Sequence, residues 1–306
     1  MRNAFAAEIT ALAAADPRVV LLMGDIGNRL FDNYKANNPD RFFNCGVAEA
    51  NMVSMAAGMA LCGLRPVAYT ITPFITTRCL EQIRVDLCYH NAPVVLVGVG
   101  GGLSYASLGG THHSCEDIAL LRALPHMTVI CPADAVETKL ALRAAFRHNG
   151  PVYLRIGKKG EPVIHTREPE FTIGKAIEIR TGNDVCLLAT GNILPITLQA
   201  ADLLSQDGVS ANVVSFHTVK PLDEDFLALA FQKFSVVVTI EEHSRLGGLG
   251  GAVAEWLVDS PSQKARLIRI GTPDSFLHEA GEQDYARERF GLTAEAIVKQ
   301  VMTATT

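Results

Sequence analysis

Short, almost entirely apolar segments alternate with stretches of helical character along this chain of 306 residues. In the first half the strand candidates are Val19–Met23, Pro66–Tyr69, Val94–Val99, Thr128–Cys131 and Val152–Arg155. Helix candidates lie around them at 2–15, 48–62, 74–90, 115–123 and 135–148. Strands that are apolar on both faces are typical of a parallel sheet covered by helices on both sides. The alternation therefore predicts an α/β fold.

A polar passage then separates two units of the same style. The second, smaller unit has strand candidates at Val185–Ala189, Ala211–Ser215, Val236–Ile240 and Ala265–Ile270, and helices near 193–207, 223–232, 248–259 and 293–303. We expect a first domain over residues 1–160, a linker over 161–171 and a second domain over 172–306, each with a mostly parallel sheet flanked by helices.

Charge and cysteine content exclude several kinds of partner and compartment. A net charge of −5 gives no reason to expect nucleic acid or an anionic membrane as a partner. No apolar run reaches the roughly 20 residues that cross a bilayer, and the N-terminal segment has the pattern of an amphipathic helix rather than a signal peptide. Seven cysteines without a Cys-x-x-Cys pair are typical of buried thiols in a reducing compartment. We expect a cytoplasmic protein.

One acid, Glu49, stands alone in the otherwise uncharged stretch 43–63, at the predicted start of a helix. A helix N-terminus favours a carboxylate, so a capping role is the simple interpretation. The helix behind it carries small residues and methionines, which would let another backbone approach closely. A carboxylate beside such a surface loses water, and its pKa then makes it a candidate for proton chemistry.

Two further clusters each allow a structural and a functional interpretation. His112 and His113 are adjacent, so at most one of them is expected to face a site, and they lack the spacing and third ligand of a zinc site. Ser114 would cap the following helix. Residues 247–251, Gly-Gly-Leu-Gly-Gly, could cradle a phosphate or simply form a tight turn, and we favour the turn. We expect no metal ligand in this chain.

Several ordered motifs together carry a resemblance to a known family. They are Gly-Val-Ala-Glu49-Ala-Asn-Met, Phe74 with Arg78-x-x-Glu-Gln-Ile83, Gly-Thr-His112-His, Pro132-Ala-Asp134, Lys220-Pro-Leu-Asp223 and Glu241-Glu-His243 with Gly-Gly-Leu-Gly. The chain resembles the pyrimidine-binding and C-terminal domains of transketolases over essentially its whole length, and so the C-terminal half of a transketolase encoded as two chains.

The resemblance implies a partner and a cofactor. Transketolases anchor thiamine diphosphate through Mg²⁺ with a Gly-Asp-Gly motif and a later Asn in an N-terminal domain. This chain has Gly24-Asp25-Ile26-Gly27 instead, which is a different pattern. We therefore expect a separate N-terminal subunit to carry the diphosphate and Mg²⁺ site, in a heterotetramer whose active sites lie between chains.

The resemblance also implies roles for single residues. Glu49 would hydrogen-bond N1′ of the aminopyrimidine, Phe74 would stack on that ring, and Arg78 belongs to the same cofactor-binding segment. His112 would face the substrate's carbonyl end. Lys158, Arg2 and, more loosely, Arg29 match positions that contact substrate phosphate.

Two departures leave the substrate open. Gly100 stands where transketolases that use ordinary ketose phosphates carry a histidine, and Leu108 stands where they carry an acid that reads donor hydroxyls. We expect transfer of a two-carbon ketol unit from a sugar or sugar phosphate. The alternatives are a subunit of a 1-deoxyxylulose-phosphate-synthase-like, acyloin-forming or 2-oxo acid dehydrogenase enzyme, or a non-catalytic partner subunit.

Overall fold

The computed structural model describes residues 1–27, 29–260 and 265–305 of the chain. Its strands, numbered along the chain, are β1 Val19–Met23, β2 Phe42–Asn44, β3 Arg65–Ile71, β4 Val95–Val99, β5 Thr128–Ile130, β6 Val152–Ile156, β7 Ile177–Arg180, β8 Val185–Thr190, β9 Ala211–Ser215, β10 Thr218–Lys220, β11 Val236–Ser244 and β12 Arg266–Thr272. Its α-helices are α1 Arg2–Ala15, α2 Asp32–Asn37, α3 Glu49–Leu61, α4 Thr72–Ile75, α5 Leu80–Gln82, α6 Asp117–Arg122, α7 Ala135–Arg147, α8 Leu194–Gln206, α9 Glu224–Lys233, α10 Leu249–Asp259, α11 Gln283–Arg289 and α12 Ala294–Thr305.

The strands form two sheets. The first has seven strands in the order β10-β5-β6-β4-β3-β1-β2, and the second has five in the order β12-β11-β8-β9-β7. Every pairing is parallel except two at sheet edges, β10 with β5 and β7 with β9. Both sheets are therefore mostly parallel, as the sequence predicts, and the predicted α/β class is confirmed.

Alternating strand residues pack on opposite faces of each sheet. In β1, Val20 and Leu22 join a core with Met52 of α3, whereas Val19 and Leu21 join a second core with Phe5 of α1. In the second sheet one face packs against α8 and α12, and the other against α9 and α10. The face covered by α3 and the face covered by α9 and α10 share one continuous core, so the two sheets are packed together.

The connection between the two sheets is longer than the predicted linker, and one predicted helix is broken into shorter pieces. Residues 157–176 carry no helix or strand, and the predicted linker 161–171 lies inside that span. The helix expected over 74–90 is instead broken into α4, a 3₁₀ turn at Thr77–Cys79, α5 and a π-helical segment at Ile83–Tyr89.

The strand β10, which belongs to the second half of the chain, pairs with the edge of the first sheet. In the described part of the chain no helix has the length and apolar character needed to span a membrane.

Candidate active site

Polar loops leave the carboxyl ends of four neighbouring parallel strands in the first sheet. Arg29 follows β1, Phe74 follows β3, the segment 100–114 follows β4 and Lys158 follows β6. In open α/β sheets ligands bind outside the carboxyl ends of the strands. The topology therefore brings the residues singled out in the sequence to one edge of the sheet.

Glu49 is the first residue of α3, and its carboxylate is 2 % exposed. It lies under the end of β1, since a Cβ added at Gly24 would be 3.4 Å from Glu49 Cγ and 2.9 Å from the hydroxyl oxygen of Thr70. The only hydrogen bond that its side chain accepts from the described residues comes from Arg78 Nη1, at 2.6 Å from Oε2. The carboxylate is thus buried at a helix N-terminus, where the helix dipole favours negative charge.

Arg78 joins Glu49 to the predicted stacking residue. Its guanidinium carbon lies 4.2 Å from the centroid of the Phe74 ring while Nη1 donates to Glu49. Glu49 and Phe74 therefore already hold one planar, nitrogen-containing group through a carboxylate contact and an aromatic contact, and a flat aminopyrimidine ring could use the same two contacts. The residues of this chain fit the pyrimidine end of thiamine diphosphate. Arg78 is 43 % exposed, so its side chain has solvent on one side.

His112 also contacts Phe74. The two rings meet edge to face with centroids 5.1 Å apart, and Tyr105 lies 6.1 Å from the same imidazole. Nδ1 of His112 is 2.9 Å from the hydroxyl of Thr111. Partial burial, and then the neighbouring His113, lower the pKa of His112 below its ordinary 6.5. His112 is consequently a neutral imidazole at pH 7 that can donate and accept a hydrogen bond.

Tyr105 connects the imidazole to the predicted anion-binding residues. Lys158 Nζ lies 4.9 Å from its ring centroid. Burial raises the pKa of the Tyr105 phenol and the nearby charge of Arg2 lowers it, with a net upward shift. Burial also raises the pKa of the Tyr69 phenol, and the charge and a hydrogen bond of Arg2 act in the opposite direction at both phenols. Nε of Arg2 is buried without a hydrogen-bond partner among the described residues. Two cations and two phenols thus lie together, and the guanidinium keeps an unused donor.

Tyr105 is the site residue that the sequence reasoning missed. A Cβ added at Gly100 would lie 2.1 Å from two carbons of the Tyr105 ring, and Gly100 has a φ of +80°. The phenol therefore takes the space that a side chain at position 100 would need. The signal that could have found it is the glycine run 100–102, which the structure explains by close approach of Tyr105 and, at Gly102, of Glu242. Leu108 is 52 % exposed on the loop surface.

Arg29, His113 and Ser114 make no hydrogen bond, ion pair or ring contact with the side chains of Glu49, Phe74 or His112 among the interactions of the described residues. Arg29 is exposed, with a φ of +66°, next to the undescribed Asn28, and it makes no ion pair with another described residue. His113 is buried and hydrogen-bonds the carbonyl of Ala106, so one histidine of the pair faces the site. The expected capping by Ser114 is wrong, because Glu116 precedes the first residue of α6 and Ser114 pairs with Gly102 through the backbone.

The glycine-rich segment 247–251 is a structural turn. Its N–H groups at Leu249 and Gly250 donate to the buried carboxylate of Glu241 over 2.7 and 2.8 Å. Burial raises the pKa of Glu241 to about 7, while these two bonds act in the opposite direction. The donors that would cradle a phosphate are therefore taken by a side chain of the same domain, as the favoured interpretation requires.

Comparison with known proteins assigns the whole chain to one family. Residues 1–161 match the model of the transketolase pyrimidine-binding domain, and residues 174–297 match that of the transketolase C-terminal domain. The chain belongs to the transketolase family, and the resemblance carried by its motifs is confirmed.

Named relatives of similar length extend this comparison. A 6-deoxy-6-sulfo-D-fructose transketolase subunit of Clostridium sp. (strain MSTE9) is 37 % identical over 98 % of this chain and 92 % of its own. An apulose-4-phosphate transketolase subunit of Phocaeicola vulgatus is 34 % identical over 98 % of this chain and 96 % of its own. A solved structure described as a split gene transketolase, inactive beta4 tetramer, superposes with a TM-score of 0.90 at 34 % identity, covering 99 % of this chain and 97 % of that one.

Proposed function

We propose that this chain is the C-terminal subunit of a two-chain, thiamine-diphosphate-dependent transketolase. With an N-terminal subunit it would move a two-carbon ketol unit from a ketose with an anionic tail to an aldose. The observation that carries the proposal is the order of contacts from Glu49 through Arg78, Phe74 and His112 to Tyr105. Beyond Tyr105 the order ends at the two cations described above.

This order matches what the reaction requires from one end to the other. A buried carboxylate and an aromatic ring stand where the pyrimidine would be held, a neutral imidazole stands next, and two cations stand last. The ends of a ketose phosphate differ in the same sense, since the reacting carbonyl lies at one end and the charge at the other. Glu49 and Phe74 would hold the pyrimidine ring, and thiamine diphosphate, when bound, supplies the carbon nucleophile of the reaction.

Glu49 would hold a proton at the ring nitrogen that faces it. The carboxylate has little access to water and one hydrogen bond from the described residues, so its second oxygen is free to bind a ring nitrogen. His112 would hydrogen-bond the substrate's carbonyl or hydroxyl oxygen and transfer a proton as charge develops there, because it is neutral at pH 7.

Arg2 and Lys158 would bind the anionic tail of the sugar. The buried Nε of Arg2 is a strong donor for a phosphate or sulfonate oxygen, and Lys158 adds a point charge 4.9 Å from the centroid of the Tyr105 ring. Two relatives carry such substrates in their names, one a sulfonate and one a phosphate. We therefore expect a charged donor and acceptor.

The partner subunit would supply the Mg²⁺ and diphosphate site. This chain lacks the family's Gly-Asp-Gly pattern, and its relatives of equal length are named as subunits. We propose a heterotetramer in which each cofactor lies between an N-terminal subunit and this one, in the cytoplasm.

The complex purified through a tag on this chain tests the proposal. Supplied with thiamine diphosphate, Mg²⁺, ribose 5-phosphate and either xylulose 5-phosphate or 6-deoxy-6-sulfofructose, it should form a ketose two carbons longer than the aldose. Pyruvate with release of CO₂ is the alternative donor. Turnover of pyruvate alone would contradict ketol transfer and favour a synthase or dehydrogenase subunit.

We predict that Glu49→Gln lowers kcat by about 10²–10⁴-fold, because an amide cannot exchange a proton with the pyrimidine. The variant should still co-purify with its partner, since Glu49 is buried within this chain and glutamine keeps its size. Glu224→Gln changes an exposed glutamate at the start of α9, outside the motifs of the site, and should leave kcat unchanged. A Glu49→Gln complex with full kcat would contradict the catalytic role, and loss of assembly would show a structural one.

A further inference from the structure

Residues 102–114 form a closed loop that carries two side chains of the candidate site. Gly102 and Ser114 exchange two backbone hydrogen bonds of 2.9 Å at its base. Tyr105 and His112 project from the segment between them and contact each other. The direction of both side chains therefore depends on how the base of this 102–114 loop is held.

The C-terminal domain contacts that base directly. Glu242, near the end of β11, accepts the N–H of Leu103 at 2.6 Å through Oε1. A Cβ added at Gly102 would lie 2.6 Å from both Oε1 and the main-chain oxygen of Glu242, and Gly102 has a φ of +66°. Asn192 Nδ2 donates to Ser104 Oγ at 3.1 Å from the same side. Only glycine allows this approach.

The Glu242 carboxylate is itself fixed by α11. It is fully buried, and Arg287 Nε forms an ion pair with Oε2. Gln283 Nε2 donates to Oε1 at 2.9 Å. A buried carboxylate that receives three kinds of donor has one low-energy position, so Oε1 presents a fixed acceptor to the loop.

The first domain holds the other strand of the base. Arg155 of β6 donates from Nη2 to the carbonyls of Ser114 and Glu242, each at 3.0 Å. Its Nε pairs with Asp117 at 2.7 Å. Burial works against ionisation of Asp117, but the charges of Arg155 and His243 together with hydrogen bonds from Arg155 and Tyr153 outweigh it and leave the pKa of Asp117 below its ordinary value. The loop base is thus clamped between buried charges of both domains.

We propose that the C-terminal domain acts as the positioning element of the 102–114 loop, with Glu242 as the positioning residue. It fixes the backbone at Gly102–Leu103 and so directs Tyr105 and His112 toward the substrate. The proposal rests on the proposed function only in calling those two side chains substrate-binding. It assigns a task to the Glu241-Glu242-His243 motif: Glu241 caps α10, Glu242 holds the loop and His243 accepts the N–H of Ala119 in α6.

A plain adhesive role between domains is the competing explanation, and the chain contains a matched control for it. Arg122 of α6 and Glu255 of α10 form another ion pair between the same two domains. That pair touches no residue of the 102–114 loop. Removing it tests domain adhesion alone, whereas removing the Glu242 carboxylate tests adhesion and loop position together.

The experiment compares Glu242→Ala, Glu242→Gln and Glu255→Ala in the complete complex by amide hydrogen exchange and donor kinetics. Glu242→Ala should accelerate exchange in peptides covering 102–113 at least tenfold and raise the donor KM at least tenfold, with a smaller effect on kcat. Glu242→Gln keeps an acceptor for Leu103 N–H and should restore most of the protection, so it also serves if the alanine variant does not fold. Glu255→Ala should leave both measurements at the wild-type values.

Three outcomes would overturn the proposal. They are unchanged exchange of the 102–113 amides in Glu242→Ala, equal acceleration in Glu255→Ala, and glutamine giving no rescue. Failure of the proposed function is separate, because it would appear as a wild-type complex that turns over no donor, while the exchange measurement would still decide whether Glu242 holds the loop.

Discussion

At the scale of single residues, Gly100 and Tyr105 act as a pair. The ring of Tyr105 lies where any side chain at position 100 would begin, and it is in contact with Lys158 and His112. A histidine at position 100, as in transketolases of ordinary ketose phosphates, cannot coexist with this placement of Tyr105. The phenol therefore fills the space that such a histidine would need, beside Lys158.

We predict that Gly100→Ala raises the donor KM at least tenfold, because its Cβ would displace the Tyr105 ring. Gly208→Ala is the matched control: it has the same φ of +80°, but a Cβ there meets nothing within 4 Å and it lies outside the 102–114 loop. Both variants carry about 1 kcal/mol of backbone strain, and Gly100→Ala should lose further stability in urea unfolding because of its collision with Tyr105.

Steady-state kinetics of the two variants then isolate the collision. An equal KM for Gly100→Ala and Gly208→Ala would contradict a substrate role for the Tyr105 ring. In a Tyr105→Ala background the collision is absent, so adding Gly100→Ala there should cost no more stability than Gly208→Ala costs in wild type.

Sequence reasoning reached Glu49, Phe74, Arg78 and His112 because ordered motifs surround them, and the structure brings those four into contact. It did not reach Tyr105, because the glycine run 100–102 indicates a close approach of some side chain without saying which one, and only the structure shows the Tyr105 ring there. The link from Arg78 to both Glu49 and Phe74 was equally invisible, since it depends on how the broken 74–90 segment bends.

At the scale of elements, most helices and strands follow from the pattern of apolar residues. Strands such as β1 and β4 are buried at every position, and this burial makes their sequences continuously apolar. The segment 74–90 departs because its helical spacing is interrupted by a 3₁₀ turn and a π-helical stretch, which re-aim Phe74 and Arg78 toward Glu49. Apolar periodicity cannot distinguish these variants of the helix.

The segment between β9 and β10 contains a histidine that makes folding depend on pH. His217 is buried, stacks on Phe171 at 4.0 Å, and has an Nε2 without a partner among the described residues. Burial lowers its pKa to about 4. The folded state thus holds the neutral form, while the unfolded chain takes up a proton near pH 6.5.

We predict that burial of His217 lowers the free energy of unfolding by about 2 kcal/mol when the pH drops from 7.5 to 5. The contribution is fully present above the unfolded-state pKa of about 6.5 and is lost as the pH falls toward 4. Urea unfolding of wild type and His217→Gln at both pH values measures it. Between pH 7.5 and pH 5, the free energy of unfolding of His217→Gln should fall by about 2 kcal/mol less than that of wild type. His90→Gln, at an exposed position, should behave as wild type, and an equal pH slope in His217→Gln would contradict the prediction.

At the scale of the whole molecule, α3 has one face directed outward. Ala56, Ala57 and Ala60 are buried within the fold, whereas Gly58 is exposed and Leu61 is 62 % exposed. Tyr89, at the end of the adjacent π-helical segment, is 82 % exposed. An apolar face with a glycine at its centre favours close packing of another subunit, as the sequence of α3 suggested.

We predict that Gly58→Arg weakens assembly at least tenfold without destabilising the single chain. A Cβ at Gly58 meets nothing within 4 Å, and its backbone is helical, so the substitution suits the isolated fold. Analytical ultracentrifugation and co-purification with the partner measure the effect. Ser205→Arg, on the exposed surface of α8, is the control. Normal assembly of Gly58→Arg would exclude α3 from the interface.

The first sheet is completed by β10, a strand from the second half of the chain, and the two-domain pattern of the sequence does not predict this. Thr218 and Lys220 pair with β5, and the His217 carbonyl accepts the N–H of Cys131 at 2.6 Å. A fragment cut at residue 171 would expose the edge of β5 as a row of free peptide groups, ready to add foreign strands. The C-terminal domain is therefore a poor cassette for recombination, because a replacement must also bring a strand that completes its neighbour's sheet.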